Sequence, residues 1–489
     1  MISIKTRIFK NLSILLSVGL IVKVLGLFHR ILMSRSLNVE GLSLYAKMMP
    51  IATFFGVLAS FSLGSSITQF VAKNLVKKPY SNRDLMAKGF KIATISASIV
   101  SIIHLLTNYL ITHYLLQTDI LYKPFIYFIP LYYLQSYTGV FKGYFHGHNK
   151  MDTYAIGQLI EQIVRIILIY VFITPMLKIS LEAGIKATVI SLSIGELCQN
   201  IFLFCSLFKF TKIFGKKTIK ADTKALIKTS FDITNNRIAN ALCNFLEPIV
   251  FTFAFQKTGM DKMIADELYG IIYGYVIPLI FITSFITTAI ETAILPELIT
   301  HYKKKETKEF NSVMNKTLFF SFIPAVITTI TFYFFSEEML QLFYHTKSGA
   351  TYLKMLAIPS FLTYFDGVFI AAIMASDNEK KLVKVTILTN IIYLSLIFFL
   401  VSIPKINIMG IIYSLSIFMS INPIIMYLIA KKYINYHLPK KSILYLGFYI
   451  LSIILTELAD NIIILIICYL LFAAILLINK NAPHHSKDN

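Results

Sequence analysis

The 489-residue chain has no tryptophan, and only 15% of its residues are charged. Soluble domains carry about 25% charged residues. With 56% hydrophobic residues and a mean hydropathy of +0.70, the composition excludes a soluble globular protein and indicates a polytopic membrane one. Without tryptophan, an interfacial aromatic belt has to come from the 28 tyrosines and the phenylalanines. Arginine is scarce too: six residues against forty lysines. Four cysteines (Cys198, Cys205, Cys243, Cys468) all fall in apolar stretches without metal-type spacing, so they are packing residues. There is no nucleotide-binding Gly-rich loop, no His–Cys cluster and no serine-nucleophile motif. The expectation is a non-enzyme with no catalytic residues, no metal and no resident cofactor.

The formal charge is +21. Its lysines lie in short runs between apolar segments rather than in one patch, so anionic lipid is the expected neighbour and nucleic acid is not. Lys5, Arg7 and Lys10 precede a long apolar run with no small-residue cleavage site, which predicts a membrane anchor rather than a cleaved leader.

A spanning helix needs about 20 apolar residues. Hydropathy predicts fourteen spans: 11–34, 43–70, 92–116, 123–143, 154–176, 184–208, 226–255, 268–298, 315–335, 352–375, 382–402, 406–430, 442–458 and 461–479. With a cytoplasmic N-terminus, the inner connections and tails hold 32 basic residues and the outer ones nine, a positive-inside bias. Both termini are therefore expected in the cytoplasm. An internal repeat is also visible. Tyr45 and Pro50 match Tyr273 and Pro278 at an offset of 228 residues, where Gln69 also meets Glu297. Parallel six-helix repeats with a path between them are a transporter plan. Pro50, Pro278 and Pro359 lie within spans and are candidate kinks.

Three of the six arginines, Arg30, Arg165 and Arg237, sit inside these spans. A charge at mid-membrane costs roughly 2.5–3.5 kcal/mol on insertion scales and marks a cavity or a partner. Arginine's planar fork also suits phosphate. In span 7, Asp232, Asn236, Asn240, Asn244 and Glu247 fall at about 0°, 40°, 80°, 120° and 60° around the helix, with Arg237 at about 140°. A polar seam between helices explains two or three of these residues; six favour a water-filled cavity. In span 1, Lys23 and Arg30 share a face two turns apart. Arg30 and Lys47 lie near the outer end, where snorkelling is open to both and is the preferred reading for Lys47. Glu161 and Arg165 have i,i+4 spacing, which suits a self-neutralised pair or a ligand site. Asp232, Glu291 and Asp366 are intramembrane carboxylates available for Na+ or H+ coupling. His146 and His148, in an inner loop beside glycines, are expected to face solvent.

Several segments together resemble a known family. These are Lys23-Val24-Leu25-Gly26 with Arg30 and Arg35, and Glu40-Gly41 through Leu44-Tyr45 to Pro50. They also include Gly143-Tyr144-Phe145 with Gly147, and Gln158 through Glu161-Gln162 to Arg165, then Leu268-Tyr269-Gly270 through Gly274 to Pro278-Leu279. This pattern is similar to the polysaccharide-transport family of MurJ-like lipid II flippases and stage V sporulation protein B-like proteins. That family falls within the multidrug/oligosaccharidyl-lipid/polysaccharide exporter superfamily. Departures are His146 in place of Gln, Thr153 in place of Pro, Asn38-Val39 in place of Gly-Asp, and no basic residue on span 8.

The resemblance implies an all-α fold of two six-helix lobes in a V, at 1–208 and 226–430. A basic linker, 209–225, joins them, and two additional helices with a short tail follow at 431–489. It implies alternating access for a lipid-linked oligosaccharide such as lipid II, in service of cell-wall or spore-cortex peptidoglycan synthesis. Arg237, Arg165, Arg30 and Lys23 would bind the diphosphate, while Asn236, Asn240, Asn244, Glu247 and Glu161 would line the cavity. Alternatives on the same fold are an exopolysaccharide or teichoic-type precursor flippase and a cation-coupled drug exporter. The expected partners are the lipid-linked substrate, membrane lipids and envelope-synthesis enzymes, with the chain itself a monomer.

Overall fold

A computed structural model describes residues 21–22, 24–77, 82–209, 222–282, 284–376 and 378–438, together with Gly447, Ile454 and Glu457. The first half holds α1 (24–36), α2 (Val39–Ser60), α3 (Leu63–Lys77), α4 (Asn82–Tyr109), α5 (Tyr122–Ile126), α6 (Phe128–Gly147), α7 (Met151–Leu168), α8 (Thr174–Ile179) and α9 (Leu181–Lys209). The second half opens with α10 (Thr223–Gln256), α11 (Lys262–Ile271), α12 (Ile277–Ile280) and α13 (Ser284–Lys303). It continues through α14 (Thr307–Phe334), α15 (Ser336–Tyr344), α16 (Ala350–Thr363), α17 (Asp366–Ala375), α18 (Glu379–Val401) and α19 (Met409–Ile434).

Ten of the described helices are long and apolar enough to cross a membrane, and the protein is an all-helical, multi-pass membrane protein. Apart from Gly447, Ile454 and Glu457, the predicted spans 442–458 and 461–479 lie outside the described residues, as do all of 11–20 and most of the linker 209–225. Span 123–143 folds as α5 and α6, but its tyrosines together with Gln135 and Lys142 keep it out of the ten. An apolar stretch makes a helix in lipid because every backbone group must be satisfied internally. Starts are set by side chains. The Asn38 carboxamide accepts from the Gly41 N–H at 2.8 Å, and Asp222 accepts from Lys224 and Ala225 to open α10.

The prolines do not mark the breaks. Pro50 and Pro359 lie inside continuous α2 and α16. The chain turns instead at Phe61–Ser62, where both residues have positive φ, and again at Phe281–Ile282 and Tyr364–Phe365. A π-helical turn, Ile272–Val276, precedes Pro278. The matched spans 2 and 8 are thus both broken, span 2 in its last third and span 8 near its middle.

Within the first half α6 packs on α2, α3, α4 and α9, and α7 packs on α9. Within the second, α10 packs on α18, α13 on α14 and α17, and α16 on α14 and α19. Across the boundary α2 meets α10, α11 and the 272–276 turn, and α3 meets α10. The apolar core follows this division. One cluster spans both halves and includes Met48, Ile51 and Phe55 with Tyr269, Ile272 and Val276. At the lysine-rich end there are two clusters, one around Ile67, Val140 and Phe145 that takes in Leu226 at the start of α10, the other around Met314, Phe369 and Met426. The two halves share a large core at one end, whereas at the other the start of α10 joins the first-half cluster, where the Ser66 hydroxyl donates to the Leu226 carbonyl at 3.3 Å.

The shared end is tightly sealed. A Cβ placed on Gly270 would sit 2.9 Å from the Val39 carbonyl oxygen and 3.0 Å from the Ser43 backbone nitrogen. Arg35 donates to the carbonyls of Leu342 and Phe343, both at 2.7 Å. Those carbonyls close the last turn of α15, where a cation is favoured. Lys47 is ion-paired with Asp266, and its side chain is 1% exposed. The snorkelling expected of Lys47 is therefore corrected: the ammonium turns inward to a carboxylate of α11. Nothing local in the sequence links two residues 219 positions apart.

Candidate functional site: an arginine-bearing boundary between two helical halves

The predicted cations fall into separate environments. Arg30, on α1, is exposed and its guanidinium donates to the Tyr273 carbonyl at 3.5 Å. Tyr45 lies within reach of the charges of both Arg30 and Arg165. Lys23 lies outside the described residues.

Arg165, halfway along the α7–α8 span, is held between two carboxylates. Its terminal nitrogen is 2.5 Å from Glu161 Oε1 and 3.4 Å from Glu196 Oε2. Glu161 is the i−4 neighbour the spacing suggests; Glu196 comes from α9. Around Glu196 the bonding continues. Thr138 on α6 donates to its Oε1 at 2.6 Å, and Asn200 donates to Thr138 at 2.8 Å. Both carboxylate side chains are buried, and Arg165 is 15% exposed. The guanidinium lies directly over Gly195, where a Cβ would be 2.7 Å from Arg165 Cγ. A glycine is needed there because any side chain would occupy the arginine's place. A charge-assisted pair of this kind fixes three helices to one another.

Arg237 is wired differently. It lies near the middle of α10, is exposed, and donates to the Ser65 hydroxyl of α3 at 3.4 Å. Lys142 lies within reach of its charge. Among the described residues no carboxylate is paired with it. The boundary thus carries a guanidinium, an ammonium and a hydroxyl with no counter-charge among the described residues, a donor set that suits an anion.

The polar face of α10 is open over most of its length. Asp232, Asn240 and Asn244 are exposed, while the side chain of Asn236 lies outside the described residues. Asn240 accepts from Asn390 of α18 at 3.0 Å. The face closes at Glu247, which is 8% exposed. The Tyr269 hydroxyl donates to its Oε1 at 3.3 Å, Tyr273 lies within hydrogen-bond reach, and the hydroxyls of Tyr273 and Tyr393 are 3.2 Å apart. Glu247 sits in a tyrosine cage rather than on a wet wall.

Of the carboxylates expected to couple a cation, Glu291 has a side chain outside the described residues. Asp366 opens α17 beside a cavity of about 240 Å³ lined by Phe281, Tyr364, Phe418 and Asn422. Its Oδ2 accepts from Asn422 at 3.1 Å. Its Oδ1 is buried and has no partner among the described residues. Asp232 is exposed at the lysine-rich end of α10.

His146 and His148 do not simply face solvent. His148 is half-buried: its Nδ1 donates to the Tyr144 carbonyl at 2.9 Å and its Nε2 meets the Asn82 amide at 3.0 Å. Burial holds its pKa below the ordinary histidine value, opposed by the Tyr144 bond and reinforced by Lys150. His146 packs edge-on against Tyr154. His146 lies in the last turn of α6 and His148 caps it, so the rings pack on α7 and against the start of α4 rather than in an open loop.

Sequence patterns alone miss Glu196, Thr138, Asn200, Asn390 and Asp266. Glu196, Asn390 and Asp266 are the distant partners of Arg165, Asn240 and Lys47, and Thr138 and Asn200 extend the chain of bonds from Glu196; helical periodicity reports faces rather than partners.

A family model described as polysaccharide biosynthesis protein matches residues 8–296. Stage V sporulation protein B of Bacillus subtilis (strain 168) is 24% identical over 416 residues, covering 83% of this chain and 80% of that protein. The lipid II flippase MurJ in an inward closed conformation superposes with a TM-score of 0.69 at 16% identity, covering 95% of this chain and 99% of that one. An inward-facing multidrug resistance MATE family transporter gives a TM-score of 0.68 at 12% identity, covering 87% and 98%.

Proposed function

This chain belongs to the polysaccharide biosynthesis protein family, and on that premise we propose that it is a flippase for a lipid-linked oligosaccharide precursor, lipid II or a related undecaprenyl-pyrophosphate sugar. The carrying observation is Arg237: a mid-helix guanidinium at the boundary between the halves, beside Ser65 and Lys142, with no carboxylate paired to it among the described residues. A diphosphate supplies the missing counter-charge, and its oxygens match the arginine fork.

The lysine-rich end, where the start of α10 links the two halves among the described residues, is taken as cytoplasmic, with both termini on that side. A headgroup enters there and reaches Arg237, while Arg30 lies farther along, against the Tyr273 carbonyl. Arg165 serves the same path by holding α7, α6 and α9 in register. Opening of the sealed end requires Lys47 to leave Asp266 and Arg35 to leave α15. The lipid tail stays in the bilayer. No ATPase motif is present in the sequence, so the membrane potential or a coupled cation drives transport. Two charges crossing 100 mV correspond to roughly 4–5 kcal/mol. Asp366, with one carboxylate oxygen unpartnered beside a cavity, is the candidate to carry the coupling Na+ or H+.

The test is depletion of the protein in a strain without a redundant flippase, followed by measurement of lipid II at the outer face. Loss of outer-face lipid II supports the reading, and unchanged exposure overturns it. Complementation with Arg237→Lys then separates charge from fork geometry.

A further inference from the structure

The basic end of the second half carries a second anion-suited feature, remote from the boundary. Lys381 and Lys384 lie in the first two turns of α18, and Lys432 lies in the last turn of α19. All three line one groove between these helices, with a volume of about 350 Å³. Its wall includes Tyr433, and its floor is apolar, with Ile425 and Leu428 among the residues. The Lys381 ammonium is 3.3 Å from the centre of the Tyr433 ring, and that of Lys432 is 5.5 Å from it. Among the described residues no carboxylate lines the groove or is paired with these lysines. Leu428 is 52% exposed and Tyr433 39%.

Three cations in one small groove repel each other unless an anion joins them. Only Lys432 sits where its own helix favours a cation, since the helix dipole rewards positive charge at the C-terminus and not in the first turns. The tyrosine face offsets part of the repulsion. The groove runs from a charged rim down an apolar floor. A free phosphate has no use for the floor, whereas a lipid uses both parts. Both helices are among the membrane-crossing ten, so the rim lies at headgroup depth. Basic pockets between membrane helices at the cytoplasmic face suit anionic headgroups.

We propose that the groove between α18 and α19 binds an anionic glycerophospholipid, with its phosphate among Lys381, Lys384 and Lys432 and an acyl chain along Leu428. The inference does not depend on the transported substrate. The bound lipid neutralises the lysines and fills the seam between two helices of the second half.

The test titrates phosphatidylglycerol into the full-length protein in an uncharged detergent and counts retained lipid by native mass spectrometry, with phosphatidylcholine as the zwitterionic control. Wild type should retain phosphatidylglycerol in preference. Lys384→Gln, at an exposed position, should weaken retention about fivefold, and the triple Lys381→Gln/Lys384→Gln/Lys432→Gln about a hundredfold. The corresponding triple arginine variant should retain it. Lys303→Gln/Lys304→Gln/Lys305→Gln, in another basic connection, should behave as wild type. Equal retention of phosphatidylcholine, or unchanged retention in both glutamine variants, overturns the proposal. So does displacement of phosphatidylglycerol by millimolar inorganic phosphate, which would make the groove a simple anion site. Preferential displacement by undecaprenyl phosphate would assign it to the carrier lipid and overturn the proposal equally.

Discussion

Arg165 and Arg237 have the same side chain at similar depth in the bundle, and their surroundings give them opposite tasks. Arg165 is enclosed by two buried carboxylates, with a hydroxyl and an amide behind them. Arg237 faces the boundary with one long hydrogen bond and a cationic neighbour. A buried guanidinium with its counter-charges in place is part of the scaffold. One with no carboxylate paired to it among the described residues, at the boundary between the halves, is available to a ligand. Intramembrane charge alone therefore does not mark a binding site; the state of its neutralisation does.

The comparison breaks most readily at Arg165. Arg165→Ala leaves Glu161 and Glu196 facing each other without compensation, and the expected loss of stability is about 3–5 kcal/mol. It should be read as a lower unfolding temperature and poor membrane yield. Adding Glu161→Gln and Glu196→Gln should recover most of the yield, because the charge deficit is gone. If the triple variant folds but does not transport, Arg165 also touches substrate and the contrast with Arg237 is lost.

Arg237→Ala should do the reverse. Transport is expected to fall about a hundredfold, in line with removal of one desolvated charge contact, while the unfolding temperature stays near wild type. Complementation of a flippase-depleted strain measures the first and detergent melting the second. A large stability loss here would place Arg237 in the scaffold.

Thr138→Val, nearly isosteric, removes the donor to Glu196 and the acceptor of Asn200. Hydrogen bonds to charged groups contribute about 1.5–3 kcal/mol, so the cost should sit between those of the arginine variant and a surface change. Melting curves of Thr138→Val and Thr138→Ser resolve it, since serine keeps the hydroxyl.

The smallest effect is expected at His148, which belongs to neither cluster. Its folded pKa lies below the usual value of about 6.5. Between the two values the unfolded chain binds more protons than the folded one. Stability is therefore full above pH 6.5 and declines as the pH falls towards the folded pKa. His148→Gln should flatten that acid-side slope of the melting temperature, and an unchanged slope would assign it elsewhere.

Hydropathy makes most of the helical frame legible, because lipid forces apolar runs into helices whatever their neighbours. The i,i+4 pair Glu161–Arg165 is legible for the same local reason. Glu196 is not: it stands alone in apolar α9, and only the packing of α7 on α9 brings it to Arg165. Lys47 misleads because a lysine near a span end usually escapes to the interface, whereas Asp266, on the other half of the chain, offers it a buried partner. The polar stripe of α10 is visible as a periodicity, yet its division into an open stretch and the closed Glu247 site depends on three tyrosines from α11, the following turn and α18.

Gly270 carries a consequence for the balance between states. The nearest atoms to a Cβ there are main-chain atoms of Val39 and Ser43, which cannot rotate aside; at Gly274 the nearest are the flexible tip of Leu42. In the alternating-access cycle proposed above, one added methyl at Gly270 would act as a wedge whose cost falls on the sealed arrangement. A penalty confined to one state shifts the population by a factor of ten for every 1.4 kcal/mol, about, that it adds. Gly270→Ala is therefore a lever on the conformational equilibrium that alters no charge. It offers a way to enrich the arrangement in which the shared core has parted.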